Sequence, residues 1–261
     1  MTSSVRVVLA ERRHQLILRA LRSGGPAAVT ALSEQLGVSP ATIRRDLVKL
    51  EEDGLLTRVH GGAVAEEGDQ PFAEVAEVRV PAKDAIAERA AALVQDGQSV
   101  LLDIGTTAYR LARRLHGRRL TVITSNLVVY EELADDEGIE LVLLGGMLRR
   151  EYRSLVGFLT EDNLRQLHAD WLFLGTSGVR PGGQVMDTTV VEVPVKRAMI
   201  KAGGKVVLLA DAAKFPGTGM AKVCGPEDLD VVVTDAPVDA VTRSALQEAG
   251  VEVLVANEVT A

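Results

Sequence analysis

A short turn in the second quarter of the chain has the residue types that bind an anion. Within the segment Leu101–Thr107, an apolar run ends and Gly105, Thr106 and Thr107 open a helical stretch. Backbone N–H groups and the helix dipole favour phosphate at such a position, and the two threonine hydroxyls add further donors. The alternative is that Thr106 or Thr107 only caps the helix while Gly105 permits the turn. The isolated motif leaves both interpretations open.

Two further polar loops follow apolar runs along the chain. Ser125 and Asn126 come after one run, and Gly145 and Gly146 come after the next. Ligands of open α/β sheets bind beside the carboxyl ends of the strands, so these loops are candidate parts of a ligand site. The alternative is that both are ordinary turns.

Residues near the N-terminus indicate a different chemistry, the recognition of DNA. Gly37 is placed as a left-handed helix C-cap, Ser39 as an N-cap and Pro40 at the first helical position. A recognition helix enters the major groove with its N-terminus first. The residues predicted to reach base edges or phosphates are Ser39, Ala41, Thr42 and Arg45. Those better placed for phosphates are Arg44 and Lys49 on the helix flanks and Arg58 and His60 on the wing.

The elements that must position these basic residues form a winged helix-turn-helix. Apolar stripes predict helices over Glu11–Arg22, around residues 29–36 and after Ser39, followed by a strand at 55–59 that turns at 60–62. The predicted core is Ile17, Leu21, Leu32, Ile43 and Leu47. The alternative for the Arg44-Arg45 pair is a solvated helix surface with Asp46 or Glu52 as partners, but the cap, turn and wing in register favour DNA binding.

From residue 72 onward, apolar runs alternate with amphipathic helices such as Ala82–Val94 and Thr107–Leu115. The runs are Ser99–Leu102, Leu120–Thr124, Glu140–Leu144, Trp171–Leu174, Lys205–Ala210, Val231–Thr234 and Val251–Val255. This alternation predicts a parallel α/β sheet. The fold class is therefore α/β, with an N-terminal winged helix-turn-helix (residues 1–62, helix-turn-helix about 27–46), a linker at 63–71 and a second domain at 72–261.

Composition and charge narrow the class of protein. The 261 residues include one Cys, so neither an internal disulfide nor a cysteine metal site is expected, and no apolar run reaches the length of a membrane span. A cytoplasmic protein without a metal or a cofactor is expected.

The net charge differs between the two parts of the chain. Residues 1–65 carry nine Lys/Arg against six Asp/Glu, a net charge of +3. The other 196 residues carry 20 Lys/Arg against 30 Asp/Glu, a net charge of −10. A basic module on an acidic body fits, although chance produces a small arginine surplus as well.

Several of these motifs together resemble a known family. Val38–Leu47, Leu50–Leu55 and Arg58–Ala63 resemble the DNA-binding signature of the DeoR family of bacterial transcriptional regulators. Trp171–Gly178 and Ala210–Phe215 stand in the order and spacing of the DeoR sensor domain, whose fold is related to sugar-phosphate isomerases. This second resemblance covers residues from about 72 to 255.

The resemblance implies a site for a phosphorylated sugar or polyol. It places phosphate at Gly105, Thr106 and Thr107, and it assigns the rest of the pocket by matching positions. The implied sugar contacts are Asp103, Ser125, Asn126, Gly145, Gly146 and Ser177, and the pocket is completed by Asp187, Glu192, Lys196 and Lys214. The alternative for Glu192 and Lys196 is an i,i+4 pair on a helix surface. Two positions depart from the family: Ala28 lacks a capping side chain, and Val75 stands where many relatives carry an Arg.

Two functions follow from this resemblance. The first is a homo-oligomeric repressor that binds double-stranded operator DNA and is released by a phosphorylated sugar. The second is a sugar-phosphate isomerase-like enzyme with an appended DNA-binding domain. The strand that ends at Gly175-Thr176-Ser177 lacks the acidic cluster of relatives with isomerase activity, which favours the regulator over the enzyme.

Overall fold

The structure is a computed structural model of the chain. It describes residues 10, 12–14, 16–17, 20–21, 27–52, 56–59, 62–65 and 71–256. The chain divides into two compact units, residues 1–68 and residues 69–261. Within the described ranges, no helix combines the length and the apolarity needed to cross a membrane.

The N-terminal unit contains a helix-turn-helix and a small sheet. Described residues between 10 and 21 are helical. The elements that follow are β1 (Ala27–Ala28), α1 (Val29–Leu36), α2 (Pro40–Glu52), β2 (Leu56–Val59) and β3 (Gly62–Ala65). The five core residues predicted from the apolar stripes are all buried, and Val29, Leu50, Leu56 and Ala63 join them. The predicted core of this unit is therefore confirmed.

The turn between α1 and α2 is built as the sequence predicts. Gly37 has φ +64°, in the left-handed region that closes a helix at low cost for glycine. Ser39 Oγ accepts a hydrogen bond from the Thr42 N–H at 3.2 Å, which satisfies an exposed amide of α2. Ala28 precedes α1 without a side-chain cap. The predicted glycine C-cap of α1 and serine N-cap of α2 are therefore both present.

The wing has one strand more than the sequence predicts. The strand order is β1-β3-β2, both pairings being antiparallel, so two residues before α1 complete the sheet. A Cβ on Gly62 would lie 2.2 Å from the Ala27 carbonyl oxygen, which explains glycine at this close approach. Strand β3 also extends the wing to Ala65, so the first three residues of the predicted linker at 63–71 belong to the sheet.

The C-terminal unit alternates helices and strands. Its first half contains α3 (Phe72–Ala76), α4 (Val80–Ala91), β4 (Ser99–Leu102), α5 (Thr106–Arg114), β5 (Leu120–Thr124), α6 (Leu127–Leu133), β6 (Ile139–Leu143), β7 (Met147–Arg149), β8 (Ser154–Val156) and α7 (Phe158–Leu164). Its second half contains β9 (Ala169–Gly175), β10 (Gly178–Arg180), β11 (Gln184–Asp187), α8 (Val193–Ala202), β12 (Gly203–Leu209), β13 (Ala221–Cys224), β14 (Val231–Thr234), α9 (Ala240–Glu248) and β15 (Glu252–Val255). Short 3₁₀ turns occur at Val190–Glu192, Ala212–Lys214 and Pro226–Asp228.

The seven predicted apolar runs form one parallel sheet. Its strand order is β15-β14-β12-β9-β4-β5-β6, and every pairing in it is parallel. Two clusters of buried apolar side chains contain alternate residues of its central strands, such as Leu101 in one and Leu102 in the other. The parallel α/β fold class is confirmed. The carboxyl ends of β9, β4 and β5 lie side by side and position the candidate site.

Two small antiparallel sheets were absent from the sequence prediction. One is the hairpin β7-β8, and the other has the order β10-β11-β13. The hairpin carries residues 150–153 in its turn, and β11 leads into Asp187 and the turn Val190–Glu192. Both additions therefore contribute to the surroundings of the parallel sheet's carboxyl edge.

Candidate functional site

The recognition helix α2 presents its predicted DNA-contacting residues on the outside. Ser39, Ala41, Arg44, Arg45 and Lys49 are exposed, and Thr42 is half-buried beside the Ser39 cap. Strand β2 contains Arg58, but its side chain and the whole of His60 lie outside the described residues. The described part of the surface therefore keeps its two adjacent arginines accessible to a ligand.

Asp46 bonds to the preceding helical segment. Its carboxylate accepts bonds from Arg13 Nε at 2.6 Å and Arg13 Nη2 at 2.9 Å, and it lies 3.0 Å from His14 Nε2. Although burial by itself raises the pKa of Asp46, the bonds from Arg13 and His14 hold it below its ordinary value. The carboxylate that was the alternative partner for Arg44 and Arg45 thus fixes α2 to the first helical segment.

In the C-terminal unit, three acids surround one lysine. We call Asp103, Asp187, Glu192 and Lys196 the Lys196 cluster; all four are buried. Lys196 Nζ donates to Asp103 Oδ2, donates to the Gly175 carbonyl at 3.1 Å and lies 3.6 Å from Asp187 Oδ2. Burial alone lowers the pKa of Lys196, but the carboxylates of Asp103 and Asp187 outweigh it and raise the pKa above its usual value. The lysine is therefore charged.

Glu192 joins this cluster through the β7-β8 hairpin. Its Oε1 accepts a bond from Ser154 Oγ at 2.9 Å and another from Arg149. Burial raises the pKa of Glu192, while the positive charges of Arg149 and Lys196 oppose that shift. The interpretation of Glu192 and Lys196 as a helix-surface pair is wrong, because both are buried and the lysine bonds to a carboxylate on another element.

Several buried polar atoms near the carboxyl ends of the parallel strands have no hydrogen-bond partner. They are Asp103 Oδ1, Ser125 Oγ, Asn126 Nδ2 and Glu192 Oε2. A buried donor or acceptor left unpaired costs about 1–3 kcal/mol, so several in one region call for an additional polar partner. Asp103 follows β4, Ser125 and Asn126 follow β5, and Glu192 is the last residue of the 3₁₀ turn before α8. Two acceptors, an amide donor and a hydroxyl match the hydroxyl groups of a polyol.

The Gly-Thr-Thr turn leaves the start of α5 without a side-chain cap. Gly105 is the N-cap residue, so neither threonine serves as the cap that was the alternative interpretation. Thr106 is buried and Thr107 is half-buried at the first helical positions. A Cβ on Gly105 would lie 3.8 Å from Gly175 Cα, so the turn runs close to the end of β9. Uncapped amides at this position are suited to an anion.

A second group of cations surrounds a buried lysine on α4. Lys83 is 4% exposed, and its ammonium donates to the Val75 carbonyl at 2.6 Å. Burial lowers the pKa of Lys83 to about 8; Asp211 opposes the shift, and Lys214 and Arg110 add to it. Burial is thus the main cause of the depressed pKa, and an anion bound beside the ammonium would stabilise its charged form.

Other predicted contacts have structural partners of their own. Asn126 caps α6, because its Oδ1 accepts a bond from the Val128 N–H at 2.9 Å. The Gly145 N–H donates to Asn163 Oδ1 at 2.9 Å, and a Cβ on Gly146 would lie 2.2 Å from Thr160 Oγ1. These two glycines therefore pack against α7.

The remaining predicted residues lie near Asp187 and Lys83. Ser177 Oγ donates to Asp187 Oδ1 at 3.4 Å, which joins Ser177 to the Lys196 cluster. Lys214 lies in the 3₁₀ turn after β12 and lowers the pKa of Lys83. The structure thus brings Asp103, Ser177, Asp187, Glu192 and Lys196 together.

The sequence analysis missed four residues of this region: Lys83, Arg149, Tyr152 and Ser154. Lys83 had a detectable signal, because it lies three and four residues before the buried Ile86 and Ala87 and so interrupts the apolar face of a helix. The other three lie on the hairpin that the sequence pattern did not predict.

Comparison with known proteins identifies the family of both units. A family model described as the DeoR-like helix-turn-helix domain matches residues 13–68, and one described as the DeoR C terminal sensor domain matches residues 78–236. The HTH-type transcriptional regulator GolR of Listeria innocua is 35% identical over 94% of this chain and 98% of its own. The glycerol-3-phosphate regulon repressor of Escherichia coli K12 is 33% identical over 87% and 91%. Ribose 5-phosphate isomerase A of Methanocaldococcus jannaschii has a TM-score of 0.38 at 19% identity over 51% of this chain and 52% of its own.

A winged helix-turn-helix followed by a parallel-sheet sensor domain defines the class, a DNA-binding transcriptional regulator. The chain belongs to the DeoR family of these regulators.

Proposed function

We propose that the chain is a repressor whose hold on operator DNA is released by a phosphorylated sugar or polyol bound at the carboxyl edge of the parallel sheet. The observation that carries this proposal is the set of unpartnered buried atoms on Asp103, Ser125, Asn126 and Glu192. They lie at the strand ends where open α/β sheets bind ligands. One relative is named as the repressor of the glycerol-3-phosphate regulon, which supports repression as the sign of the regulation.

The two ends of such a ligand have separate binding groups. The phosphate binds the uncapped amides and the hydroxyls of Thr106 and Thr107, and the ammonium groups of Lys83 and Lys214 supply positive charge. The hydroxyls of the polyol bind at the Lys196 cluster, where Asp103 and Glu192 each keep one oxygen unpartnered. Phosphate therefore contributes affinity, and the hydroxyl pattern determines specificity.

The proposal is tested with the full-length protein and a defined panel of compounds. A DNA ligand is first enriched from a random pool by the purified protein. Calorimetry then measures binding of glycerol 3-phosphate, ribose 5-phosphate, fructose 6-phosphate and inorganic phosphate, beside the unphosphorylated compounds. We expect at least one phosphorylated compound to bind and to weaken DNA binding, and its unphosphorylated counterpart to do neither. Equal effects of both forms would contradict a phosphate site.

Substitutions on α2 are expected to separate phosphate contacts from base contacts. Arg44→Ala removes one phosphate contact, so the slope of log affinity against log salt falls by about 0.9 for all sequences. Arg45→Ala costs roughly 1–3 kcal/mol at one base position and relaxes the preference there. Arg119→Ala, at an arginine that is 85% exposed in the other unit, is the matched control. An unchanged preference for Arg45→Ala would remove its assigned role.

We further propose that the protein is a homo-oligomer, because specific operators need two or more copies of a small winged helix. An apolar patch of the C-terminal unit supports this: Met147 and Phe158 are 60% and 66% exposed, and Leu148 and Leu159 are beside them in the chain. Arg165 pairs with Asp162 in the helical segment that begins at Phe158, so charges of both signs lie near the apolar patch and two identical copies of it can complement each other. Light scattering is expected to give at least a dimer and Phe158→Asp a smaller species; a monomeric wild type contradicts the proposal.

One observation favours the enzyme as a second candidate. Although β9 ends without an acid, the fold brings Asp103, Asp187 and Glu192 together around Lys196. Asp103 and Asp187 pair with that lysine and Glu192 bonds to Arg149, which leaves their charges committed to structural partners. We therefore expect no aldose–ketose interconversion of ribose 5-phosphate or of fructose 6-phosphate by the purified protein. Turnover abolished by Glu192→Gln would establish the enzyme instead.

A further inference from the structure

The short helix α3 packs against both walls of the proposed ligand site. Its first residue, Phe72, is 5% exposed. The Phe72 ring meets Tyr109 edge-on, with centroids 5.9 Å apart at 75°, and meets Tyr152 in the same way at 5.8 Å and 79°. Edge-to-face pairs have a preferred geometry, so a shift of either tyrosine alters the position of the phenylalanine.

Each tyrosine belongs to an element that faces the ligand. Tyr109 lies in α5, three residues after Thr106, so it is one turn from the proposed phosphate site. Tyr152 lies in the turn of the β7-β8 hairpin, between Arg149 and Ser154, which both bond to Glu192. The Arg149 guanidinium lies 5.6 Å from the centroid of the Tyr152 ring. Phe72 thus touches the phosphate side and the polyol side at once.

The backbone of α3 is held by cations from the phosphate side. Lys83 Nζ donates to the Val75 carbonyl at 2.6 Å, and Arg110 Nη2 donates to the Ala76 carbonyl at 3.2 Å. The Phe72 N–H donates to the Glu151 carbonyl of the hairpin turn at 2.9 Å. A helix of five residues has little stability of its own, so these contacts determine where α3 lies.

We propose that α3 is the segment that transmits occupancy of the ligand site to the DNA-binding unit, with Phe72 as the residue that couples the two. This inference rests on the proposed function. A phosphate dianion beside α5 attracts the Lys83 ammonium away from the Val75 carbonyl, and polyol hydroxyls at Glu192 shift the hairpin that carries Tyr152. Because α3 is the first element of the C-terminal unit and only residues 66–71 separate it from β3, its displacement moves the start of the connection between the units.

The coupling is tested by changing Phe72 while leaving the ligand-binding groups intact. Phe72→Leu keeps an apolar side chain but loses both ring contacts. In full-length wild type we expect a saturating phosphorylated compound from the panel to weaken DNA binding by roughly tenfold or more, within the usual range of allosteric coupling. In Phe72→Leu we expect the same compound to bind, and the weakening to fall below about threefold. Tyr130→Leu, an exposed aromatic residue on α6, is the matched control and keeps the wild-type response.

A second measurement follows α3 directly. Hydrogen exchange of the amides of Glu74 and Val75, which both bond to the Pro71 carbonyl, is compared with and without the compound in wild type and in Phe72→Leu. We expect the ligand to change their exchange in wild type and to leave it nearly unchanged in the variant. Two results would overturn the role of α3 while leaving the proposed function intact. One is amide exchange in wild type that does not change when the ligand binds. The other is a Phe72→Leu protein whose DNA binding is weakened by the ligand as much as that of wild type. If no compound on the panel binds, the proposed function fails, and this inference fails with it.

Discussion

Lys196→Met is expected to destabilise the C-terminal unit by about 3–5 kcal/mol, because it removes the only cation that bonds to Asp103 among the described residues and leaves buried acids uncompensated. Lys196 and Asp103 are both almost fully buried, and a water molecule that takes the place of the ammonium restores a hydrogen bond but not the lost positive charge. Asp187, 3.6 Å from the lysine, loses its opposing charge as well. Urea unfolding is followed by the fluorescence of Trp171, the single tryptophan of the chain, which lies in β9.

Two further variants identify the cause of that loss. Lys201→Met removes an exposed ammonium from the same helix α8 and is expected to change stability by less than about 0.5 kcal/mol. Combining Lys196→Met with Asp103→Asn removes one of the uncompensated charges, so the double variant should recover part of the lost stability. An equal loss in the single and double variants would show that packing, rather than charge, explains the effect.

The N-terminal unit was predictable because its signals are local. A glycine with positive φ, a serine cap and a proline at the first helical position each act within a few residues of the chain. In the structure, Gly37 ends α1 in the left-handed conformation and Ser39 caps α2, as the sequence predicts. The third strand of the wing was missed because Ala27 and Ala28 pair with residues 62 and 63, more than 30 positions away. Two alanines carry no strand pattern that would reveal such a pairing.

The parallel sheet was predictable for a related reason. Strands buried on both faces are continuous apolar runs, and the predicted bounds of β4, β5 and β14 match those observed. Helix bounds were less accurate: α4 begins at Val80 and ends at Ala91, each two or three residues earlier than predicted. Helix ends depend on tertiary contacts, such as those of Arg79 with Asp211 and Asp235, that no local pattern contains.

The candidate site shows the limit of sequence reasoning more clearly. Asp103 and Lys196 are 93 positions apart, and only the topology of the sheet brings them together. The hairpin that holds Glu192 through Arg149 and Ser154 has strands of three residues, too short for a periodic signal. The sequence motifs predicted where polar loops follow the strands. They could not predict which charged side chains of those loops pair with each other, because that depends on the fold.

The double substitution Thr106→Ala with Thr107→Ala is expected to abolish the response to the phosphorylated ligand. Each hydroxyl donates to a charged phosphate, and such bonds contribute about 1.5–3 kcal/mol each, so the combined loss weakens ligand binding by roughly 100-fold or more. Binding of DNA in the absence of ligand should be unchanged, because the N-terminal unit has its own core of Ile17, Leu21, Leu32, Ile43 and Leu47. Calorimetry with the panel compounds that bind the wild type measures the first effect, and a DNA shift assay measures the second.

A matched pair of variants isolates the hydroxyl groups. Thr106→Ser with Thr107→Ser retains both donors and loses only two methyl groups, so it should keep ligand affinity within a few-fold of wild type. Reciprocity adds an independent check, because a ligand that weakens DNA binding must itself bind more weakly, by the same factor, when DNA is present. The alanine variant should lose this effect and the serine variant should keep it. Undiminished affinity of the alanine variant would place the phosphate elsewhere, and the Gly-Thr-Thr turn would then serve only to begin α5.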